Sequence, residues 1–127
     1  MIAVDTSALM AILLGEPQAE TRMALLEAEA ELLISAGTVA EALIVAARRN
    51  VGEEMAELIA GLGFEIVAVT LASARRIAEA HAQWGKGVHA AAFNFGDCFS
   101  YEVAKENECP LLYVGGDFSR TDIQPAL

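Results

Sequence analysis

Close to its start the chain carries a short apolar run, Ile2-Ala3-Val4, that ends on an acid, Asp5, and turns at once into a helix pattern through Ala8, Leu9, Ile12 and Leu13. Ile2 to Val4 reads as a buried strand, and Thr6 or Ser7 as the cap of the helix that follows. Asp5 is thereby fixed at the carboxyl end of a strand. In an open α/β sheet that edge is where ligands bind, so the other acids are weighed by whether they can reach this corner.

The remaining pattern repeats the alternation. Gly15-Glu16-Pro17 makes a turn, with Pro17 suited to the first position of a helix over about Gln18 to Ala30. Leu32 to Ser35 reads as a strand, and Gly37 or Thr38 as the start of a helix through about Arg49 that Asn50-Val51-Gly52 ends. A helix over Glu53 to Ala60, a strand over Phe64 to Val69, and a helix capped by Thr70 and reaching Trp84 come next. After the loop Gly85-Lys86-Gly87-Val88-His89, a helix is expected over about Asp97 to Asn107, then a strand, Leu111 to Val114, closed by Gly115-Gly116-Asp117. Strands separated by helix pairs imply parallel pairing with helices on both faces, a three-layer α/β/α architecture. With no repeat and no linker, residues 1–127 read as one domain whose tail after Ile123 is loosely held.

Composition narrows the chemistry. The hydrophobic fraction is 55%, yet charges and glycines interrupt every apolar stretch, so nothing reads as a membrane span. The start has neither a basic region nor a cleavage site of the secretory kind, and a cytoplasmic protein is the expectation. Cys98 and Cys109 have no histidine at ligand spacing and read as structural thiols. The formal charge of −10 argues against gripping nucleic acid through a broad basic surface. Nucleic-acid chemistry here would need metal ions or a partner to offset repulsion, and a basic partner is favoured.

Most of the 18 acids, Glu27, Glu29, Glu31, Glu53, Glu54 and Glu57 among them, fall on solvated helix positions. Asp5, Glu41, Asp97 and Asp117 do not. Asp5 ends a strand, where an acid also serves as a helix cap. Glu41 has Ile44 and Val45 three and four residues onward; a carboxylate on that side wants a cation, unless Arg48 pairs with it or the face is exposed. Asp97 lies between aromatic residues near a helix start, where it complements the helix dipole or forms a second carboxylate opposite Asp5. Asp117 follows the last strand through two glycines and can point at the same corner. Carboxylates brought together raise one another's pKa unless hard cations sit between them, and oxygen-only ligation suits Mg²⁺ or Mn²⁺. Such an ion lowers the pKa of bound water and serves phosphodiester hydrolysis. His81 and His89 lack metal spacing and read as structural, Trp84 as a core or interface anchor, and Arg120 as a side chain able to reach a phosphate.

The segments Val4-Asp5-Thr6-Ser7-Ala8, Ala40-Glu41-Ala42, Asn94-Phe95-Gly96-Asp97-Cys98-Phe99-Ser100-Tyr101-Glu102-Val103-Ala104 and Gly116-Asp117-Phe118-Ser119-Arg120-Thr121-Asp122-Ile123 resemble the signature stretches of PIN-domain ribonucleases, more narrowly the VapC toxins of type II toxin–antitoxin pairs. The resemblance implies an α/β/α fold with a central parallel sheet and Mg²⁺- or Mn²⁺-dependent endoribonuclease activity on RNA. It also implies inhibition by a cognate VapB-type antitoxin; the alanine-rich helices suit either a dimer face or an antitoxin groove, and a homodimer is expected. Position by position, Asp5 and Asp97 match the metal-binding aspartates, Glu41 the glutamate of the acidic centre, and Asp117 the fourth acid. Gly116 stands where relatives often carry an acid or amide, so Asp122 is an alternative fourth acid, and Thr6 or Ser7 would hold Asp5 through its hydroxyl. Two rival readings are a phosphotransfer domain with Asp5 as nucleophile, which lacks the second acid or lysine such sites use, and a silent module that only captures a basic partner.

Overall fold

Every residue of β1 (Ile2–Val4) and β2 (Leu32–Ser35) is buried, so both strands are covered on two faces. The computed structural model describes residues 1–127 and shows what covers them. Ile2, Val4, Leu32, Ile34 and Leu112 enter one core with Leu9, Leu26, Ala42 and Met55; their strand neighbours Ala3, Leu33 and Leu111 enter another with Ile77, Phe93, Tyr101 and Val103. The first core packs α1 (Thr6–Leu13), α2 (Ala19–Ala28), α3 (Ala36–Arg48) and α4 (Gly52–Leu62) against the sheet. The second packs α5 (Leu71–Trp84) and α6 (Phe95–Glu106). The result is the expected three-layer α/β/α arrangement.

The sheet is parallel, with β3 (Glu65–Val67) and β4 (Leu111–Leu112) in the order β3-β2-β1-β4. Ala3 pairs with Leu33 on one side and Leu111 on the other. The chain therefore winds outward from β1 through β2 to β3, then returns to lay β4 along the free edge of β1. Connections leave in opposite directions at that point, which opens a crevice at the carboxyl end of β1. Asp5 stands in it.

Several boundaries differ from the sequence reading, each for a local reason. Gln18 takes a left-handed conformation (φ 69°), so Pro17 precedes α2 instead of opening it, and the helix ends at Ala28. Ser35 caps α3 by accepting the Gly37 N–H at 3.1 Å, which starts that helix at Ala36. The Phe99 ring lies over Gly37, where a Cβ would collide with it. The capping residue of α6 is Asn94, so this helix begins at Phe95, before Asp97. β3 keeps only Glu65–Val67, and its Glu65 and Ile66 are exposed at the sheet edge. β4 stops at Leu112 because the Val114 N–H is taken by the Ser7 hydroxyl at 3.0 Å. The tail is held, not loose: Leu111 N–H donates to Gln124 and Ala126 N–H to Leu111, each at 2.9 Å.

Phe93 is fully buried in the segment that leads into α6 and packs against the Tyr101 and Phe118 rings. Phe93→Ala is expected to destabilise the protein by ~3–5 kcal/mol, measured by urea unfolding. A loss below about 1 kcal/mol would show that the second core closes over the gap.

Candidate active site

Asp5, 4% exposed, is itself the N-cap of α1, the role open to a strand-end acid, and neither Thr6 nor Ser7 takes it. Its Oδ2 accepts the Ser7 N–H at 3.0 Å and the Ser7 hydroxyl at 2.6 Å, while Oδ1 accepts the Ser100 hydroxyl at 2.5 Å. Thr6 points elsewhere and donates to Glu41 Oε1 at 2.6 Å. Adjacent hydroxyls in the sequence thus serve two different acids. Glu41 is half-buried on α3, and its hydrogen-bond partner is this hydroxyl instead of the Arg48 cation. Burial pushes the Glu41 carboxyl above the usual range, the Asp5 charge adds to the effect, and the Thr6 hydrogen bond opposes it.

Asp97 belongs to a capping box. Its N–H donates to Asn94 Oδ1 at 2.9 Å, and its Oδ2 accepts the Asn94 N–H at 3.0 Å. This reciprocal pair locks the first turn of α6 and with it the carboxylate. Burial pushes the Asp97 carboxyl up to about 7; the Asn94 N–H opposes that, and the charges of Asp5 and Asp117 reinforce it. Gly96, next to it, lies so close to the Glu41 carboxylate that a Cβ there would overlap it. Asp5, Glu41, Asp97 and Asp117 are therefore neighbours at the switch point, linked by charge and by the backbone of α6.

Other candidates lie apart. Asp122 accepts from the Tyr101 hydroxyl at 2.7 Å and from Lys105 at 2.9 Å; although burial works against it, those partners hold its carboxyl below the usual range. It is Asp117, not Asp122, that acts on Asp97. The Arg120 guanidinium donates to the Ala90 carbonyl at 3.1 Å and pins the loop before α6. His89 Nδ1 accepts the Ala91 N–H at 2.9 Å, and Trp84 packs edge-on to His89 and against Tyr101. Cys98 and Cys109 are free, buried thiols.

Ser100 and Gly96 are the site residues that the sequence reading passed over. Ser100 stands three residues after Asp97 in a helix, which places both on one side. That spacing is the signal that was available in the sequence. The donor set suits a hard divalent cation, since Asp5, Glu41, Asp97 and Asp117 all offer carboxylate oxygens. No three acidic, histidine or cysteine side chains form a ready-made cage. The carboxylates are hydrogen-bonded to the hydroxyl and N–H donors beside them.

Comparison with known proteins shows the family and the fold. Residues 2–124 match the family profile of the PIN domain. Ribonuclease VapC30 of Mycobacterium tuberculosis is 41% identical over 125 residues, covering 96% of this chain and 95% of the relative. Among solved structures, Mycobacterium tuberculosis VapC20, described as a Sarcin-Ricin loop cleaving toxin, superposes with a TM-score of 0.75 at 19% identity, covering 98% of this chain and 100% of that one. VapBC2 from Rickettsia felis, bound to a DNA fragment from its promoter, gives a TM-score of 0.70 at 17% identity, covering 98% of this chain and 96% of the other.

A buried carboxyl raised to about 7 binds a proton in the folded protein at a pH where the unfolded chain has released it. Stability of the metal-free protein should therefore fall as pH rises from about 4 to about 7 and level off above that. Asp97→Asn, which keeps the acceptor for the Asn94 N–H, is expected to flatten this slope and to stabilise the protein by a few kcal/mol at pH 8, read from urea midpoints with chelator present. An unchanged slope would refute the assignment. Gly96→Ala should destabilise by ~1–3 kcal/mol despite the better helix propensity of alanine, and Glu41→Ala should relieve most of that loss. Simple additivity in this double-mutant cycle would show that the two residues do not collide.

Proposed function

The chain belongs to the VapC ribonucleases of the PIN domain family, and from that premise we propose that it is the toxin of a type II toxin–antitoxin pair, a cytoplasmic endoribonuclease dependent on Mg²⁺ or Mn²⁺. The observation that carries this reading is the gathering of Asp5, Glu41, Asp97 and Asp117 at the sheet's switch point, with no lysine or arginine among the groups that act on Asp97. Acids concentrated without a cationic partner are suited to hold a metal.

Asp5 and Asp97 would hold the ion. Bound there, Mg²⁺ or Mn²⁺ supplies the positive charge that an acidic protein otherwise lacks against an RNA phosphate, and it lowers the pKa of bound water. The chain's own groups do the positioning. Ser7 and Ser100 fix the Asp5 carboxylate, and the Asn94 N–H fixes that of Asp97. Glu41, displaced toward protonation by burial and by Asp5, would take a proton from an attacking water. Asp117, exposed on its loop, is the fourth acid that orients water or closes the metal site. Water attack on the phosphodiester leaves a 5′-phosphate and a 3′-hydroxyl.

A cognate VapB-type antitoxin would inhibit the enzyme, and the net charge of −10 favours a basic partner. Ile44, Leu71 and Phe95 are among the exposed large apolar side chains. A groove of about 510 Å³ lies between α3 and the start of α6, lined by Glu41, Ile44, Arg48, Phe95 and Phe99. This apolar surface would serve the antitoxin and a second copy in the homodimer. No helix is long and apolar enough to cross a membrane.

Asp5→Asn or Asp97→Asn is expected to lower RNA cleavage about 100- to 1000-fold with the fold retained, whereas Glu54→Gln, on an exposed helix position, leaves the rate unchanged. Cleavage of a labelled RNA in Mn²⁺, in EDTA and after Mn²⁺ is restored measures both effects. Undiminished cleavage by either aspartate variant, or in EDTA, refutes the metal assignment. A parent protein that captures a basic partner in EDTA yet never cuts RNA would be the silent module instead.

A further inference from the structure

Ser100 is 2% exposed and hydrogen-bonds across the interfaces between all the elements that bear the buried acids. It sits on α6 with Asp97, its hydroxyl lies 2.5 Å from Asp5 Oδ1 at the end of β1, and it is 3.3 Å from the hydroxyl of Thr38 on α3, the helix that carries Glu41. We propose that Ser100 is a positioning residue that, with Ser7, clamps the Asp5 carboxylate from its two sides and so sets the affinity of the acidic centre for a divalent cation. This rests on the metal-dependent reading above.

Proton accounting fixes the direction of each bond. Ser100 gives its one hydroxyl proton to Asp5 Oδ1, so the Thr38 hydroxyl must donate to Ser100. Ser7 follows the same pattern: it donates to Asp5 Oδ2 and accepts the Val114 N–H at 3.0 Å. Each serine therefore gives its proton to Asp5 and accepts from a second donor. The terminal torsion of an aspartate is broad and roughly two-fold, so a carboxylate held on one side alone can swing. Held on both, it stays beside Asp97; Oδ2 accepts twice from Ser7, while Oδ1, with its one bond from Ser100, keeps a lone pair for an ion. Without Ser100, ordering Asp5 would subtract from metal binding, as it does when partners of metal ligands are removed elsewhere.

The test is Mn²⁺ affinity of the full chain by calorimetry, together with thermal unfolding of the metal-free protein. Ser100→Ala should bind Mn²⁺ about tenfold more weakly than the parent while unfolding within a few degrees of it. Ser7→Ala, which opens the other side of the clamp, should show a loss of similar size. Thr38→Val breaks the Thr38 link but leaves the Ser100 proton on Asp5, and should bind Mn²⁺ as the parent does. Parent-like affinity in both serine variants overturns the clamp while the metal reading stands, as does a Thr38→Val loss equal to that of Ser100→Ala, which would mark a packing effect. A parent chain that binds no Mn²⁺ overturns the metal reading and the clamp together.

Discussion

A carboxylate buried at the end of the central strand must have its oxygens satisfied, and meeting that requirement organises much of the molecule. Asp5 begins α1 by accepting the Ser7 N–H, and Ser7 ends β4 by taking the amide that a longer strand would have used. Ser100 joins the same carboxylate to α6 and, through Thr38, to α3. The start of one helix, the end of one strand and the docking of two helices thus share a single hydrogen-bonded set. Because an orphaned charge in this place would be strongly destabilising, these contacts reinforce one another.

Two buried acids on α6 stand in opposite electrostatic surroundings. Glu102, 6% exposed, is raised by burial but meets the Arg76 guanidinium at 3.2 Å, which opposes the rise. Asp97, on the same helix, has anions for charged neighbours. A fold under selection for stability alone has no reason to place Asp97 beside Asp5 and Asp117, since their repulsion works against the folded state. Such a concentration is the usual mark of a site whose stability is sacrificed for function. The proposed nuclease supplies the missing positive charge with a metal ion.

The apolar surface follows from the same layout. β3 lies at the sheet edge with Ile66 exposed, and Phe95, though exposed, is braced edge-to-face against Phe99. Phe99 in turn covers Gly37 at the start of α3, and both line the groove beside Glu41.

Much of this was legible along the chain. Asp5 could be placed at a strand end because an apolar run stops there, the helix faces followed from periodicity, and the parallel three-layer order followed from alternation of strands with helices. Asp97 and Glu41 stood out as acids among apolar residues. The sequence could not distribute the hydroxyls, since Thr6 and Ser7 are adjacent and equivalent in pattern, yet one serves Glu41 and the other Asp5. Nor could it choose between Asp117 and Asp122, since both follow the last strand closely enough to reach the corner; Tyr101 and Lys105, from another element, claim Asp122. Local order along the chain determines which residues share a strand or helix face. Which oxygen meets which proton depends on contacts between residues as far apart as Asp5 and Ser100, and those exist only once the layers have packed.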